Sequence, residues 1–155
     1  VSGIYLRQPL TSTVASLMAP PSPFSQQLIE NIGFPLYYPT KMPAGFKFEV
    51  KSIEAAEGVV MYVISDDNNK IVSFSLQSQT EGMTIDSAVN SLKAVKDSRK
   101  LNTPVGEGAT GTNEQEKLTI ASVLTGKTWV LINMPEGTLS NADIDLILGS
   151  LKQAK

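Results

Sequence analysis

The stretch FKFEVKSIEAAEGVVMYVISDDNNKIVSFSL, residues 46–76, decides the fold. Phe46, Phe48 and Val50 alternate with Lys47, Glu49 and Lys51, the period of two that marks a half-buried strand. Val59 to Ile64 is apolar on both faces, which places it centrally in a sheet. Asp66-Asp67-Asn68-Asn69 is turn chemistry. Beyond it Val72, Phe74 and Leu76 face inward while Ser73, Ser75 and Gln77 face out. Two strands joined by so short a link predict a β-hairpin, and short hairpins require antiparallel pairing.

Upstream, FPLYYP and KMPAGF read as extended and turn segments, because Pro35, Pro39 and Pro43 forbid a helix and disfavour a central strand. Before them Phe24, Leu28, Ile29 and Ile32 recur at helical spacing. Ser22 is the expected N-cap, Pro23 the first helical residue and Gly33 the stop. Residues 1–21 are rich in Ser, Thr and Pro and carry one charge, Arg7. They are expected to form a tether or loosely docked arm, in which Thr13–Ala19 has enough apolar content to pack as a short helix. Residues 22–155 are expected to form a single domain.

Downstream, a second helix starts at Thr84 with an apolar stripe of Ile85, Ala88, Val89, Leu92 and Val95. Residues 101–116, rich in Gly, Thr and Asn, read as a loop with a weak strand. Leu118–Leu124 and Trp129–Met134 flank Thr125-Gly126-Lys127 as a second hairpin. The last helix is capped by Ser140, with Asp143 at the third position and a staple of Leu139 on Ile144. Ile144, Ile147, Leu148 and Leu151 form its buried stripe. The fold class is therefore α+β: one antiparallel sheet of five to six strands with helices packed on it, including a C-terminal helix.

Pro39, Met42, Pro43, Gly45 and Phe46 form a P-x-x-L/M-P-x-G-aromatic turn ahead of the first long strand. Gly126, Trp129 and Val130, then Leu148, Ser150 and Leu151, form a G-x-x-aromatic-V … L-x-S-L ending. On these residues the chain resembles bacterial extracytoplasmic domains of unknown function, and its order of elements is similar to PsbP-type α-β-α sandwiches. The resemblance implies a place outside the cytoplasm behind a signal or lipid anchor. It supplies no catalytic residues.

Thirteen basic and 15 acidic residues give a net charge of -2, which argues against a protein that grips nucleic acid by its phosphates. No apolar run reaches the roughly 20 residues that cross a bilayer. The absence of Cys and His removes thiol nucleophiles, disulfides, the usual transition-metal ligands and the usual proton shuttle. No cofactor and no metal site is expected. Asp66–Asn69 has Lys70 where a Ca²⁺ loop needs a ligand. Gly106, Gly108 and Gly111 lack the βαβ setting of a dinucleotide fingerprint. The first residue, Val1, is read as the start of a processed or trimmed product.

Two groups are left as candidates for partner binding. Lys93, Lys96, Arg99 and Lys100 form a basic run placed at the end of the second helix, able to hold an anionic headgroup or polysaccharide. Tyr37 and Tyr38 are adjacent on an extended segment, so one of them is expected to face outward. The other aromatics, Phe46, Phe48, Tyr62, Phe74 and Trp129, read as core, with an apolar-ligand groove as the alternative. The expected function is a non-enzymatic extracytoplasmic domain, membrane-tethered or secreted, that binds a protein or envelope partner. The alternatives are an apolar-ligand or lipid carrier with a pocket between sheet and helices, and a His-independent hydrolase using Ser and Lys or paired carboxylates.

Overall fold

The computed structural model describes residues 22–54 and 58–155, so the N-terminal arm and its Thr13–Ala19 segment lie outside the described residues. The element order is α1 (Gln26–Asn31), β1 (Tyr37–Pro39), β2 (Lys47–Glu54), β3 (Val59–Ser65), β4 (Ile71–Ser78), α2 (Ile85–Ser91), β5 (Lys96–Thr103), β6 (Gly106–Asn113), β7 (Leu118–Leu124), β8 (Thr128–Pro135), α3 (Asn141–Gly149) and β9 (Leu151–Gln153). The fold is an antiparallel sheet with helices, as the hairpin signals require. The strand count exceeds the five to six expected: seven strands form the main sheet in the order β2-β3-β4-β8-β7-β6-β5, and β1 pairs with β9 in a separate two-stranded ribbon.

The two hairpins read from sequence are both present. Asp66 closes the first, its Oδ1 accepting from the backbone N–H of Asn68 at 3.0 Å and of Lys70 at 2.9 Å. Gly126 turns the second at φ 104°, a conformation that glycine adopts without steric cost.

Side-chain alternation gives the sheet two unequal faces. On the first, Val60, Tyr62, Ile64, Val72, Phe74, Leu76, Val130 and Ile132 are buried beneath α1, α3 and the β1–β9 ribbon. Tyr62 stacks on Phe74 with ring centroids 4.6 Å apart, and Phe24 meets Tyr62 edge-on at 5.4 Å. The ribbon and the segment just before it are fastened by polar bonds. The Tyr62 hydroxyl donates to the Tyr37 carbonyl at 2.9 Å, and the Thr128 hydroxyl to the Pro35 carbonyl at 2.6 Å. Burial pushes the Tyr62 phenol well above its usual range, so it remains a donor. Both Tyr37 and Tyr38 are buried, at 7% and 6% exposure, and both belong to the main core cluster; the expectation that one faces outward is corrected.

On the second face α2 crosses from β4 to the far edge and lies over β6 and β7. Ile85, Ala109 and Leu124 form its small core, with Met83, Val89 and Trp129 against it.

Several element boundaries move. Ser25, not Ser22, caps α1, accepting from the Leu28 N–H at 3.2 Å. Phe24 thereby leaves the helix and fills the core. The second helix stops at Ser91 rather than running through Val95. Most of 101–116, read as a loop with a weak strand, is strand: β5 and β6 form a hairpin with a bulge between Lys96 and Arg99, and only 104–105 and 114–116 are turn. Ser140 caps α3 as expected, with the Asp143 N–H donating to its Oγ at 3.2 Å. Leu151, assigned to the helix stripe, instead opens β9.

Candidate functional site

Helix α2 ends in a Schellman turn. The Lys93 N–H donates to the Asn90 carbonyl and the Ala94 N–H to the Val89 carbonyl, both at 3.1 Å. Lys93 takes the left-handed conformation at φ 55°. Two such bonds close a helix C-terminus, usually with glycine in the left-handed position. The turn sends the chain away from the helix axis and into the edge strand β5. It also strands Val95 outside the core, at 59% exposure, where the helical stripe would have buried it.

Beyond this turn lies a hollow of about 360 Å³, lined by Lys93, Val95 and Lys96 on one side and Thr112, Asn113, Glu114 and Gln115 on the other. Asn113 ties the two sides together. Its side-chain NH₂ donates to the Leu92 carbonyl at 3.1 Å, and its Oδ1 accepts from the Glu116 N–H at 3.0 Å. Asn113 is itself buried, at 5% exposure. Asn113→Ala is expected to leave the Leu92 carbonyl without this partner and cost about 1–3 kcal/mol, read as a lower urea midpoint at unchanged m-value. A melt indistinguishable from wild type would show that Asn113 does not clamp the two sides. Gly111 completes the close approach, since a Cβ there would run into the Ala94 carbonyl.

The basic run is split by the fold. Arg99, Lys100 and Lys96 stand on β5, not on a helix, and their ammonium and guanidinium groups go different ways. Arg99 reaches under the first face and pairs with Asp145 of α3 through two bonds, at 2.7 and 3.1 Å. Its Nε is buried without a partner, which offsets part of that pairing. Lys100 lies on the second face, 2.8 Å from Asp86 of α2, and that carboxylate holds the ammonium above the usual lysine range. Lys96 stands 3.9 Å from Glu114, a loose pair. Lys93 makes no ion pair among the described residues. Of the four cations, then, Arg99 and Lys100 fasten helices to the sheet edge, while Lys93 and Lys96 flank the exposed Val95. Tyr37 and Tyr38, buried in the ribbon, lie apart from this corner.

Sequence reasoning missed Val95, Asn113 and Gln115. Val95 fitted the helical stripe so well that only the unexpected stop after Ser91 exposes it, and the stop carries no glycine to announce it.

Two further hollows are open to solvent. One, of about 440 Å³, lies beside the start of α2 and includes Gln79, Asp86, Lys100 and Glu107. The other, of about 310 Å³, lies between α1 and the chain end and includes Ile29, Phe34, Lys127 and Gln153. Among the described residues no group of three or more acidic side chains is placed to hold a metal ion, and no helix is long and apolar enough to cross a membrane. Comparison with protein-family models, with curated proteins and with solved structures gives no match.

Proposed function

We propose that the chain is a non-enzymatic binding domain of the bacterial cell surface, tethered or secreted outside the cytoplasm. Its partner, a protein or an envelope component, presents an acidic group beside an apolar one. The observation that carries this reading is the corner at Lys93, Val95 and Lys96: an exposed aliphatic side chain between two cations, on a backbone held by a Schellman turn and the Asn113 clamp. A pre-set surface of this kind loses little conformational freedom on binding. The extracytoplasmic setting rests on the motifs around Pro43 and Trp129.

The packing favours this reading over a carrier. The first-face residues Val60, Phe74, Leu76 and Val130 meet the covering layer with essentially no exposure, so the described sheet-to-helix interface is filled by side chains. A hydrolase is less well supported, because Asp86 and Asp145 are engaged by separate cations on opposite faces of the sheet.

The test is fluorescence anisotropy with a labelled Glu-Leu-Glu-Leu-Glu peptide and with polyglutamate, measured on the full chain. Lys93→Gly removes one cation at a position whose backbone suits glycine, and Lys96→Glu reverses the other. Wild type is expected to bind one of the probes at low salt, and the double variant to bind about tenfold or more weakly, since each lost charge-assisted contact is worth about 1.5–3 kcal/mol at most. Binding should also fall as salt rises, because exposed charges are screened over roughly 10 Å at 0.1 M. Equal binding by wild type and double variant, or no binding of either probe by wild type, overturns the proposal.

A further inference from the structure

The turn between β6 and β7 puts an acid into the corner formed by Lys93, Val95 and Lys96. Glu114 follows Asn113, whose buried side chain bonds the Leu92 carbonyl on one side and the Glu116 N–H on the other. The 113–116 turn is therefore held in place against the 92–96 segment. Thr112, just before this turn, is the cross-strand partner of Lys96. From this backbone the Glu114 carboxylate stands 3.9 Å from the Lys96 ammonium, while Lys93 makes no ion pair among the described residues. Lys93, Lys96 and Glu114 are the charged groups lining the hollow: two cations and one anion, which leaves one positive charge uncompensated. Val95 supplies the exposed apolar wall, and Thr112 and Gln115 supply uncharged polar ones.

We infer that Glu114 reserves Lys96, so that the corner takes a single acidic group at Lys93 beside an aliphatic group on Val95, and discriminates against polyanions. This rests on the corner being the binding surface, and it specifies the ligand. Charge complementarity selects it. The first acid of a ligand meets an unpaired ammonium. A second acid finds its ammonium at Lys96, where it must displace the Glu114 carboxylate and then lie beside it, and like charges brought together across an interface repel. Discrimination between ligands uses such a repulsive element as well as an attractive one. The Lys96 and Glu114 side chains are 46% and 65% exposed, so their pair adds little to stability and acts on selectivity. The aliphatic group is required because only it gains from covering Val95. The partner is therefore a protein segment carrying a lone Asp or Glu flanked by aliphatic residues. An anionic polysaccharide, which repeats its charge along the chain and has no aliphatic side chain, is disfavoured.

Fluorescence anisotropy on the full chain at low salt tests this with two end-blocked peptides, Gly-Leu-Glu-Leu-Gly with one acid and Glu-Leu-Glu-Leu-Glu with three. Wild type is expected to bind the second no more than about threefold more tightly, the statistical gain from three equivalent acids without a second contact. Glu114→Gln is expected to tighten Glu-Leu-Glu-Leu-Glu by about two- to fivefold, the scale of one exposed ion pair, and Gly-Leu-Glu-Leu-Gly distinctly less. Glu114 is an exposed turn residue, so the substitution should leave the fold intact. Glu81→Gln makes the same change of net charge ahead of α2, at the opposite end of that helix from Lys93, and should leave both affinities unchanged. If wild type binds neither peptide, the corner's role and its selectivity fall together. If the peptides bind and Lys93→Gly with Lys96→Glu weakens them, four results overturn the proposal alone. These are no gain with Glu114→Gln, equal gains for the two peptides, the same gain with Glu81→Gln, or a wild-type preference for Glu-Leu-Glu-Leu-Glu above the statistical one.

Discussion

Phe74→Ala is expected to lower the unfolding free energy by about 3–5 kcal/mol, the usual cost of truncating a buried phenylalanine. Phe74 has no exposed surface, sits on a strand with neighbours on both sides, and stacks on Tyr62. Its removal leaves a void under α3 and the ribbon that the flanking strands cannot close without breaking their ladders. Against a typical domain stability of about 5–15 kcal/mol this is a large fraction. A urea melt measures it as a lower midpoint with unchanged m-value. Tyr62→Phe is the companion variant: it keeps the stack and removes the hydroxyl that donates to the Tyr37 carbonyl, for a smaller loss of about 1–3 kcal/mol. A Phe74→Ala protein within about 1 kcal/mol of wild type would mean that the first face is not the packed core, since that is the size of an ordinary surface effect or little more.

Gly111→Ala is expected to cost about 3 kcal/mol, the upper end for forcing extra volume into a packed site. The new Cβ would meet the Ala94 carbonyl, which is backbone and cannot rotate aside as a side chain would. Relief requires the Lys93–Lys96 segment to move away from β6, so the same substitution should also weaken any ligand held at Lys93 and Lys96. Gly149→Ala is the control. Nothing lies within 4 Å of a Cβ at that position, and its backbone is ordinary, so it should be neutral or slightly stabilising in the helix. Equal melts for Gly111→Ala and Gly149→Ala would show that the α2–β5 connection does not press on β6.

What was legible in the sequence follows from which strands bury large side chains. β3, β4, β7 and β8 do, and their alternation and turns were readable. β5 and β6 were not, for a physical reason. In β5, KDSRKLNT, the helices above and below are held by the Lys100–Asp86 and Arg99–Asp145 ion pairs, so Leu101 is its only apolar residue. β6, GEGATGTN, is built of small residues because neighbouring backbone comes too close for anything larger at Gly106 and Gly111. Such strands have no hydrophobic period to detect. The Tyr37–Tyr38 pair, one of which was expected to face outward, and Leu151 were misplaced for a related reason: the β1–β9 ribbon joins segments more than 100 positions apart, and no local pattern announces that pairing. At the candidate site, the two lysines were visible as charge. Their separation from Arg99 and Lys100 was not, since it depends on the Schellman turn at Lys93 and the bulge after Lys96.

Binding at the Lys93–Lys96 corner, and not in the interior of the domain, would leave a direct spectroscopic signature. An amide chemical-shift map of the full chain, recorded while the Glu-Leu-Glu-Leu-Glu peptide is added, tests it most directly. The expected result is a set of shifts confined to residues 93–96 and 112–115, saturating with peptide and reversed by salt. Shifts centred instead on the amides of Phe74, Leu76, Val130 and Ile132, or none near Val95 at saturation, would contradict it.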